Sequence, residues 1–364
     1  MVSNTCILLA FLLSPTILAV TVPNTPPPSA AVVDPSLLSV SIEFFTFPAY
    51  AQIAATSNCI ANIATLRGAQ PAIRIGGTTQ DRATYDPTLS IAVDYTVASQ
   101  ADAPTTLTYG PPFITLASQQ PGAVTLGLNR QLNNQSASLA AAKLAQKTMS
   151  NLFAFELGNE PEFYASDSPI IIAGGEGWNQ DVDAASEKSW FGAFSPSASM
   201  RIAVSDDFLT MWVISSGIVS YTRQYQSEAS AAHEAGIKYF LGETNSATCG
   251  GGGISSTFGA ALWIVDYVLQ GALNGVDRLY FHQGTISNCA YCFWGQSSIF
   301  TPYYGVAFVS EFLGTNGVKV AMLDDGSSAI GIYALYSSTN APVRLLVVNT
   351  NYFNGTASKK DDGS

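Results

Sequence analysis

The sequence of 364 residues predicts an α/β fold: a (β/α)8 TIM barrel followed by an incomplete C-terminal antiparallel β-domain. Short apolar strands alternate with helical segments over most of the chain, which predicts a parallel sheet covered by helices. No glycine-rich nucleotide-binding turn opens a strand–helix unit, so a barrel is favoured over a doubly wound sheet. Near the C-terminus, strand patterns follow one another with no helix between them, as in antiparallel structure.

The individual elements are predicted from their apolar periodicity. Strands are expected at SVSIEFFTF, PAIRIGG, AVTLGLN, NLFAFELG, IKYFLGE and DRLYFHQG. Helices are expected at SNCIANIATLRGA, SASLAAAKLAQKTM, IVSYTRQYQSEASAAHEAG and FGAALWIVDYVLQGAL. The C-terminal strands are separated by turn signals at Asp325-Gly326 and at Asn340-Ala341-Pro342.

The barrel prediction contains one gap. The segment between Glu160 and Glu243 must hold the fifth and sixth strands together with their helices. Residues 190–214 are short for this purpose and show no clear strand–helix pattern. The sequence therefore predicts a barrel that lacks part of its fifth and sixth β/α units, with exposed strand edges at the gap.

The N-terminus predicts a secretory signal peptide. The chain from Cys6 to Leu18 is mostly apolar but too short to span a bilayer, and Ala19 offers a small residue for cleavage. A buried N-terminal helix is the alternative, because the first five residues contain no Lys or Arg. The predicted organisation is a signal peptide at 1–19, a Pro-rich lead-in at 20–35, the catalytic barrel at 36–315 and a truncated β-domain at 316–364.

Composition restricts the classes of partner. The formal net charge is −11 and only 11% of residues are charged, which argues against nucleic acid and anionic membranes as partners. The 47% of hydrophobic residues suffice for a large core, and the polar surface must be mostly uncharged, as suits a secreted, extracellular protein. No cofactor is predicted, because the Gly run near residue 250 lacks the Lys and Ser/Thr of a phosphate loop.

Cysteine usage agrees with export. Removal of Cys6 with the signal peptide leaves an even number of cysteines, which predicts two disulfides and leaves three pairings open among Cys59, Cys249, Cys289 and Cys292. No metal site is predicted, because only two histidines, His233 and His282, are available to such a site. His282 is interpreted as a hydrogen-bonded core residue. Two glycosylation acceptors are expected, at Asn134 and Asn354.

Two glutamates follow predicted strands where a barrel places its catalytic groups. Glu160 lies in ELGNEP, just after the predicted strand NLFAFELG, and Glu243 lies in LGETNS, after KYFL. Paired carboxylates from different strands are what glycosidic cleavage needs, since one protonates the leaving oxygen and the other attacks or supports the anomeric carbon. We therefore expect a raised pKa for Glu160 and hydrogen bonds from Thr244 and Asn245 to an ionised Glu243. Glu156 lies inside its strand and is interpreted as structural, or as tuning Glu160.

The chain resembles fungal members of glycoside hydrolase family 79, the β-glucuronidase group of a clan of retaining barrel enzymes. The resemblance is carried by SIEFFTFPAY, AIRIGGTTQD, FELGNEPEFY, YFLGETNSATCGGGG and DRLYFHQGTISNCAYCFWG. It implies that Glu160 is the general acid/base and Glu243 the nucleophile. It also implies that Asn159 hydrogen-bonds the 2-hydroxyl of the sugar.

Five further residues are candidate substrate contacts. Glu43 is expected to touch substrate or Arg74, with a structural ion pair as the alternative. Arg74 is expected to orient the active-site carboxylates rather than to bind substrate itself. The glycine run that starts at Gly250 could present backbone N–H groups to a uronic carboxylate, or it belongs to a disulfide-tethered loop. Tyr291 and Trp294 are expected to stack on a sugar ring, with core packing as the alternative.

Two functions follow from these patterns. The first is a secreted retaining β-glucuronidase that cleaves terminal glucuronic acid from a glucuronide or a glucuronic-acid-bearing glycan. The second is a catalytically impaired homologue, truncated or incorrectly assembled at the gap, that at most binds carbohydrate. A serine-hydrolase triad is disfavoured because the chain has no Gly-x-Ser-x-Gly motif.

Overall fold

The computed structural model describes residues 20–175, 177–194, 202–203, 214–247 and 251–351. The predicted signal peptide, Gly250, Cys249 and the acceptor Asn354 lie outside these residues. Most of the predicted gap, at 195–201 and 204–213, lies outside them too.

The strands are numbered in chain order. They are β1 (Ala31–Val32), β2 (Leu38–Glu43), β3 (Ile73–Gly76), β4 (Ala83–Tyr85), β5 (Val93–Tyr95), β6 (Leu107–Tyr109), β7 (Val124–Leu128), β8 (Leu152–Leu157), β9 (Ile202–Ala203), β10 (Phe240–Thr244), β11 (Arg278–Gln283), β12 (Lys319–Met322), β13 (Ile330–Tyr336) and β14 (Pro342–Asn349).

The helices are numbered in the same way, and short 3-10 turns lie between several of them. They are α1 (Phe47–Tyr50), α2 (Ala54–Arg67), α3 (Pro111–Ser118), α4 (Gln135–Thr148), α5 (Pro169–Gly174), α6 (Gln180–Phe194), α7 (Ser215–Thr222), α8 (Gln226–Glu234), α9 (Phe258–Leu273) and α10 (Thr301–Leu313).

The central element is a parallel, curled sheet with the strand order β10-β11-β2-β3-β7-β8-β9. Strands β2, β3, β7 and β11 are buried along their whole length, as parallel strands covered by helices must be. The predicted α/β class is confirmed. Within the described residues β9 and β10 are the two edges of the sheet, so this part of the chain forms an open barrel.

Helices α2, α9 and α10 pack together on one side of this sheet. Twelve of the sixteen residues of α9 are buried, including Trp263 and Tyr267, whose rings stack with their centroids 4.4 Å apart. Helix α2 ends at Gly68, which has a φ of 73° and lies against Thr315. A Cβ at that position would lie 2.6 Å from the Thr315 methyl group, so glycine is required there.

The second sheet is antiparallel, with the order β1-β12-β13-β14. Its first strand comes from the Pro-rich lead-in, where Ala31 pairs with Val320, so the lead-in is a structural part of the C-terminal sheet. Buried polar contacts hold this sheet on α9. The hydroxyl of Tyr333 donates to the carboxylate of Asp266 and accepts a hydrogen bond from Gln270 at 2.7 Å.

Several elements depart from the predictions. The predicted helix ending at Gly236 is divided into α7 and α8 by a 3-10 turn, Arg223–Tyr225. Strands β4, β5 and β6 form a small third sheet that the periodicity did not indicate. Asn134 caps α4 by accepting the backbone N–H of Ala137, and its side chain is exposed.

Of the two predicted disulfides, one is present in the described residues. Cys289 and Cys292 are bonded, with their Cα atoms 5.4 Å apart. Cys59 is a buried free thiol on α2. None of the described helices is long and apolar enough to cross a membrane.

The Tyr333 contacts yield a stability prediction. Tyr333→Phe removes the hydroxyl that donates to the buried Asp266 carboxylate, so the free energy of unfolding should fall by about 1–3 kcal/mol. Denaturant unfolding followed by fluorescence measures the change. Tyr304→Phe on α10 is the matched control, because Tyr304 is 62% exposed, and should leave stability unaltered. Equal stability of both variants would contradict the assigned role of this contact.

Candidate active site

Polar and charged side chains converge at the carboxyl ends of the central strands. Because neighbouring parallel strands end at the same edge, residues far apart in sequence meet there. The group comprises Glu43 at the end of β2, Arg74 on β3, Glu156 on β8, Asn159 and Glu160 just after β8, Glu243 on β10 and His282 on β11.

Arg74 lies at the centre of this group and is 1% exposed. Its Nε and Nη2 donate to the two oxygens of Glu156 at 2.6 and 2.5 Å, a bidentate pair between β3 and β8, which lie on either side of β7 in the sheet. Its Nη1 donates to Oε2 of Glu243 at 2.7 Å and to Ser41 at 3.0 Å. Its Nη2 also donates to Oδ1 of Asn159 at 2.7 Å. The predicted orienting role of Arg74 therefore has a direct geometric basis.

Two side chains, those of Arg74 and His282, contact the carboxylate of Glu243. Besides Arg74, Nε2 of His282 lies 3.5 Å from its Oε1. The side chain is 20% exposed, so part of it is accessible to solvent. The prediction that the next two residues donate to it is wrong: Thr244 bonds Tyr267 at 3.0 Å, and Asn245 donates to the carbonyl of residue 282 at 2.9 Å.

Glu160 is half-buried and sits in an unusual backbone conformation, with φ 43° and ψ 61°. Its Oε2 accepts a hydrogen bond from Nδ2 of Asn159 at 3.0 Å. Burial raises the pKa of Glu160 to about 7, and the negative charge of Glu243 adds to the effect. The two glutamates are thus joined by the path Glu243–Arg74–Asn159–Glu160.

Glu43 and His282 form a second ion pair beside Glu243. Nε2 of His282 lies 3.3 Å from Oε2 of Glu43, and its Nδ1 bonds Ser41 at 3.0 Å. Burial opposes the charge on each partner. The pKa of Glu43 is nevertheless lowered by His282 and Thr79, and that of His282 is raised by Glu243 and Glu43. Of the two alternatives for Glu43, the structure contains the ion pair, made with His282.

A cleft of about 320 Å³ opens beside Glu160. Its walls carry hydroxyls, amides, one cation and exposed aromatic surface, a mixture that suits a polar ligand with apolar ring faces. Its lining residues are Thr78, Asp81, Arg82, Thr105, Thr106, Gln131, Leu132, Asn159, Glu160, Phe163, Tyr164 and Ala165.

The two aromatic candidates, Tyr291 and Trp294, lie in different surroundings. The Tyr291 ring lies 6.2 Å from the His282 ring, at the edge of the charged group. Trp294 is fully buried, and its indole N–H donates to Oγ1 of Thr56 on α2 at 2.9 Å. Trp294 therefore fits the core-packing alternative and cannot stack on a sugar, because no face of it reaches solvent.

Two residues of the site were missed or undervalued by sequence reasoning. His282 is buried, as expected, but it contacts both Glu43 and Glu243. Its place at the end of a predicted strand was the available signal. Asp81 is 2% exposed and binds backbone groups of two loops near Glu160. It belongs to the AIRIGGTTQD segment, but nothing in the local pattern distinguishes it from a turn residue.

Relatives are found among fungal enzymes. A β-glucuronidase of Aspergillus niger is 30% identical over 409 aligned residues, which cover 92% of this chain and 75% of that protein. A β-glucuronidase of Neurospora crassa is 28% identical, covering 91% of this chain and 74% of that protein. No protein-family model matches the chain.

Solved structures give the same result. The chain is similar to a 4-O-α-L-rhamnosyl-β-D-glucuronidase from Fusarium oxysporum 12S, solved as its Rha-GlcA complex, with a TM-score of 0.86 and 39% identity over 92% of this chain and 81% of that one. An α-L-arabinofuranosidase from Thermotoga maritima is similar with a TM-score of 0.59 over 88% of this chain and 83% of that one. At 11% identity, this second likeness shows the fold alone.

The electrostatics of the site yield a prediction that requires no substrate. Glu160 should titrate near pH 7, and Glu243→Gln should lower its pKa because the variant removes a nearby negative charge. NMR of protein labelled at the glutamate carboxyl carbons measures both values. Glu311→Gln, an exposed change on α10, is the control and should leave the titration unaltered. A Glu160 that titrates near pH 4.5 in the unchanged protein would contradict this description.

Proposed function

We propose that this chain, which belongs to glycoside hydrolase family 79 together with the fungal β-glucuronidases, is a retaining β-glucuronidase that removes terminal glucuronic acid by double displacement. The family makes it a glycoside hydrolase. One observation supports the finer assignment: two glutamates from different strands occupy one charged group and have opposite electrostatic environments. Sites that divide acid and nucleophile roles between two carboxylates have this property.

Glu160 is the proposed general acid/base. With a pKa raised to about 7, its carboxyl group stays protonated in mildly acidic solution and can donate that proton to the glycosidic oxygen. The bond from the anomeric carbon to that oxygen then breaks, and the leaving group departs as an alcohol. In the second step the ionised Glu160 takes a proton from water, which attacks the anomeric carbon.

Glu243 is the proposed nucleophile. Its carboxylate attacks the anomeric carbon as the leaving group departs, forming a glucuronyl ester that water later hydrolyses with retention of configuration. The Arg74 guanidinium holds this carboxylate in place through an ion pair at 2.7 Å. Because Arg74 also binds Glu156 and Asn159, the position of Glu243 is coupled to the loop that carries Glu160.

Asn159 is the proposed ligand of the sugar 2-hydroxyl. Its Oδ1 accepts a hydrogen bond from Arg74, and its Nδ2 donates to Glu160 beside the cleft that both Asn159 and Glu160 line. A hydroxyl that displaces the Asn159–Glu160 hydrogen bond would be held next to the reacting carbon. Such a contact contributes most when it tightens in the oxocarbenium-like transition state.

The glucuronide preference and secretion are further parts of this proposal. The relatives from Aspergillus niger, Neurospora crassa and Fusarium oxysporum are glucuronidases by name, which supports a glucuronide as substrate. Secretion is supported by the apolar N-terminal segment and by the Cys289–Cys292 disulfide, since such bonds persist in oxidising compartments.

Purified protein tests the proposal with a matched pair of aryl β-glycosides. We expect hydrolysis of the glucuronide and at least a hundredfold lower kcat/KM for the glucoside, which lacks the carboxylate. Glu160→Gln and Glu243→Gln should each reduce kcat by about 10²–10⁴ or more, and Glu311→Gln should not. Sugar binding without hydrolysis by the folded protein would instead favour the impaired homologue. Full activity in either glutamate variant would reassign that residue.

The raised pKa of Glu160 predicts the alkaline limb of the pH profile. As pH rises through about 7, the free enzyme loses the proton that the acid must donate, so kcat/KM should fall about tenfold per pH unit above it. Initial rates in overlapping buffers measure this dependence. If kcat/KM stayed constant up to pH 9 for a substrate with a poor leaving group, this result would argue against Glu160 as the acid.

A further inference from the structure

Glu160 has a backbone conformation that its own residue type disfavours. A φ of 43° places it in the left-handed region, which is sterically unfavourable for a non-glycine residue. Such a conformation persists only where the surrounding structure holds it in place. The peptide before Glu160 must therefore be fixed by contacts from outside its own loop.

Asp81 supplies these contacts. Its Oδ1 accepts the backbone N–H groups of Arg130 and Gln131 at 2.8 and 3.2 Å. Its Oδ2 accepts the backbone N–H of Asn159 at 2.5 Å and the hydroxyl of Tyr164 at 2.8 Å. Four donors on a carboxylate that is 2% exposed make a fully occupied buried acceptor.

The donors come from two different loops. Asp81 itself lies in the 3-10 turn after β3, Arg130 and Gln131 follow β7, and Asn159 and Tyr164 follow β8. One carboxylate therefore joins the ends of three neighbouring strands. The bond to Asn159 is made by the residue directly before Glu160, so any displacement of Asp81 reaches Glu160 through one peptide unit.

The local sequence is built around this contact. Gly158 has a φ of 83°, and a Cβ there would lie 2.3 Å from the hydroxyl of Tyr164. Only glycine leaves room for that hydroxyl to reach Asp81. The guanidinium of Arg130 supports the same loop, since its Nε donates to the carbonyl of Leu157 at 3.0 Å.

We infer that Asp81 is a positioning residue for Glu160, which aligns the proton-donating carboxyl group by holding the Asn159 peptide. The inference rests on the proposed function of Glu160. This role differs from mere stabilisation of the fold, because a misaligned acid slows the cleavage only of those substrates that need its proton. The inference assigns Asp81 no contact with the reacting atoms.

The test compares two aryl glucuronides in Asp81→Asn. The asparagine side chain has the same shape but presents an amide N–H₂ to one of the donor pairs, so at least one pair loses its acceptor. Phenyl β-glucuronide needs a proton on its leaving oxygen, and 2,4-dinitrophenyl β-glucuronide does not. We expect kcat/KM to fall by about a hundredfold for the phenyl compound and by less than about fivefold for the dinitrophenyl compound.

Three variants complete the design. Glu160→Gln defines the leaving-group pattern of a lost acid. Tyr164→Phe removes one of the four bonds while keeping the ring, and should give the same pattern at about three- to tenfold. Asp325→Asn makes the same chemical change at an exposed residue, whose Oδ1 accepts the backbone N–H of Ser327, and should alter neither rate. Circular dichroism establishes that each protein is folded.

The outcomes are distinct. Equal losses on both substrates, or no loss, in folded Asp81→Asn would overturn the inference. If that variant does not fold, Tyr164→Phe decides by the same criterion. Failure of the unchanged protein to cleave either glucuronide would reject the proposed function itself, which is a different result from any of these.

Discussion

The site depends on one buried cation. Arg74 is almost wholly excluded from water and donates to two carboxylates, of Glu156 and Glu243, and to the amide of Asn159. Removing one partner of a buried ion pair costs about 3–5 kcal/mol because the remaining charge is uncompensated. Without the guanidinium, the Glu156 carboxylate inside β8 would lose both of its hydrogen bonds from Arg74, and Glu243 would lose its charged partner at 2.7 Å. The carboxylates of Glu156 and Glu243 therefore depend on the same buried guanidinium.

That network also makes the two glutamates unequal. Glu243 contacts Arg74 and His282, while Glu160 accepts a hydrogen bond from the neutral amide of Asn159 and lies within the field of Glu243. Burial and like charge then favour the protonated form of one carboxyl group beside an ionised partner. Placement in the fold thus gives the two carboxyl groups different electrostatic environments, as the proposed two-carboxylate hydrolysis requires.

The site residues at the ends of strands could be predicted from the sequence, whereas the contacts between loops could not. Glu160 and Glu243 could be identified because each ends an apolar strand, and parallel strands bring such ends together. The Asp81 contacts could not, because they join backbone groups of separate loops whose approach no local pattern encodes. The two alternatives for Trp294 could not be decided from the sequence, because an aromatic residue near a strand end is equally suited to a core and to a sugar site. The lead-in strand was missed since its partner, Val320, lies almost 300 residues away.

Trapping of the covalent intermediate tests the central claim most directly. In a 2-deoxy-2-fluoro-glucuronyl donor, the fluorine slows both displacement steps. A good leaving group speeds the first step only, so the glucuronyl ester accumulates. Peptide mapping by mass spectrometry should then locate one sugar on Glu243. A label on another residue would contradict the account. So would the absence of any label from protein that hydrolyses aryl glucuronides and is inactivated by the same reagent.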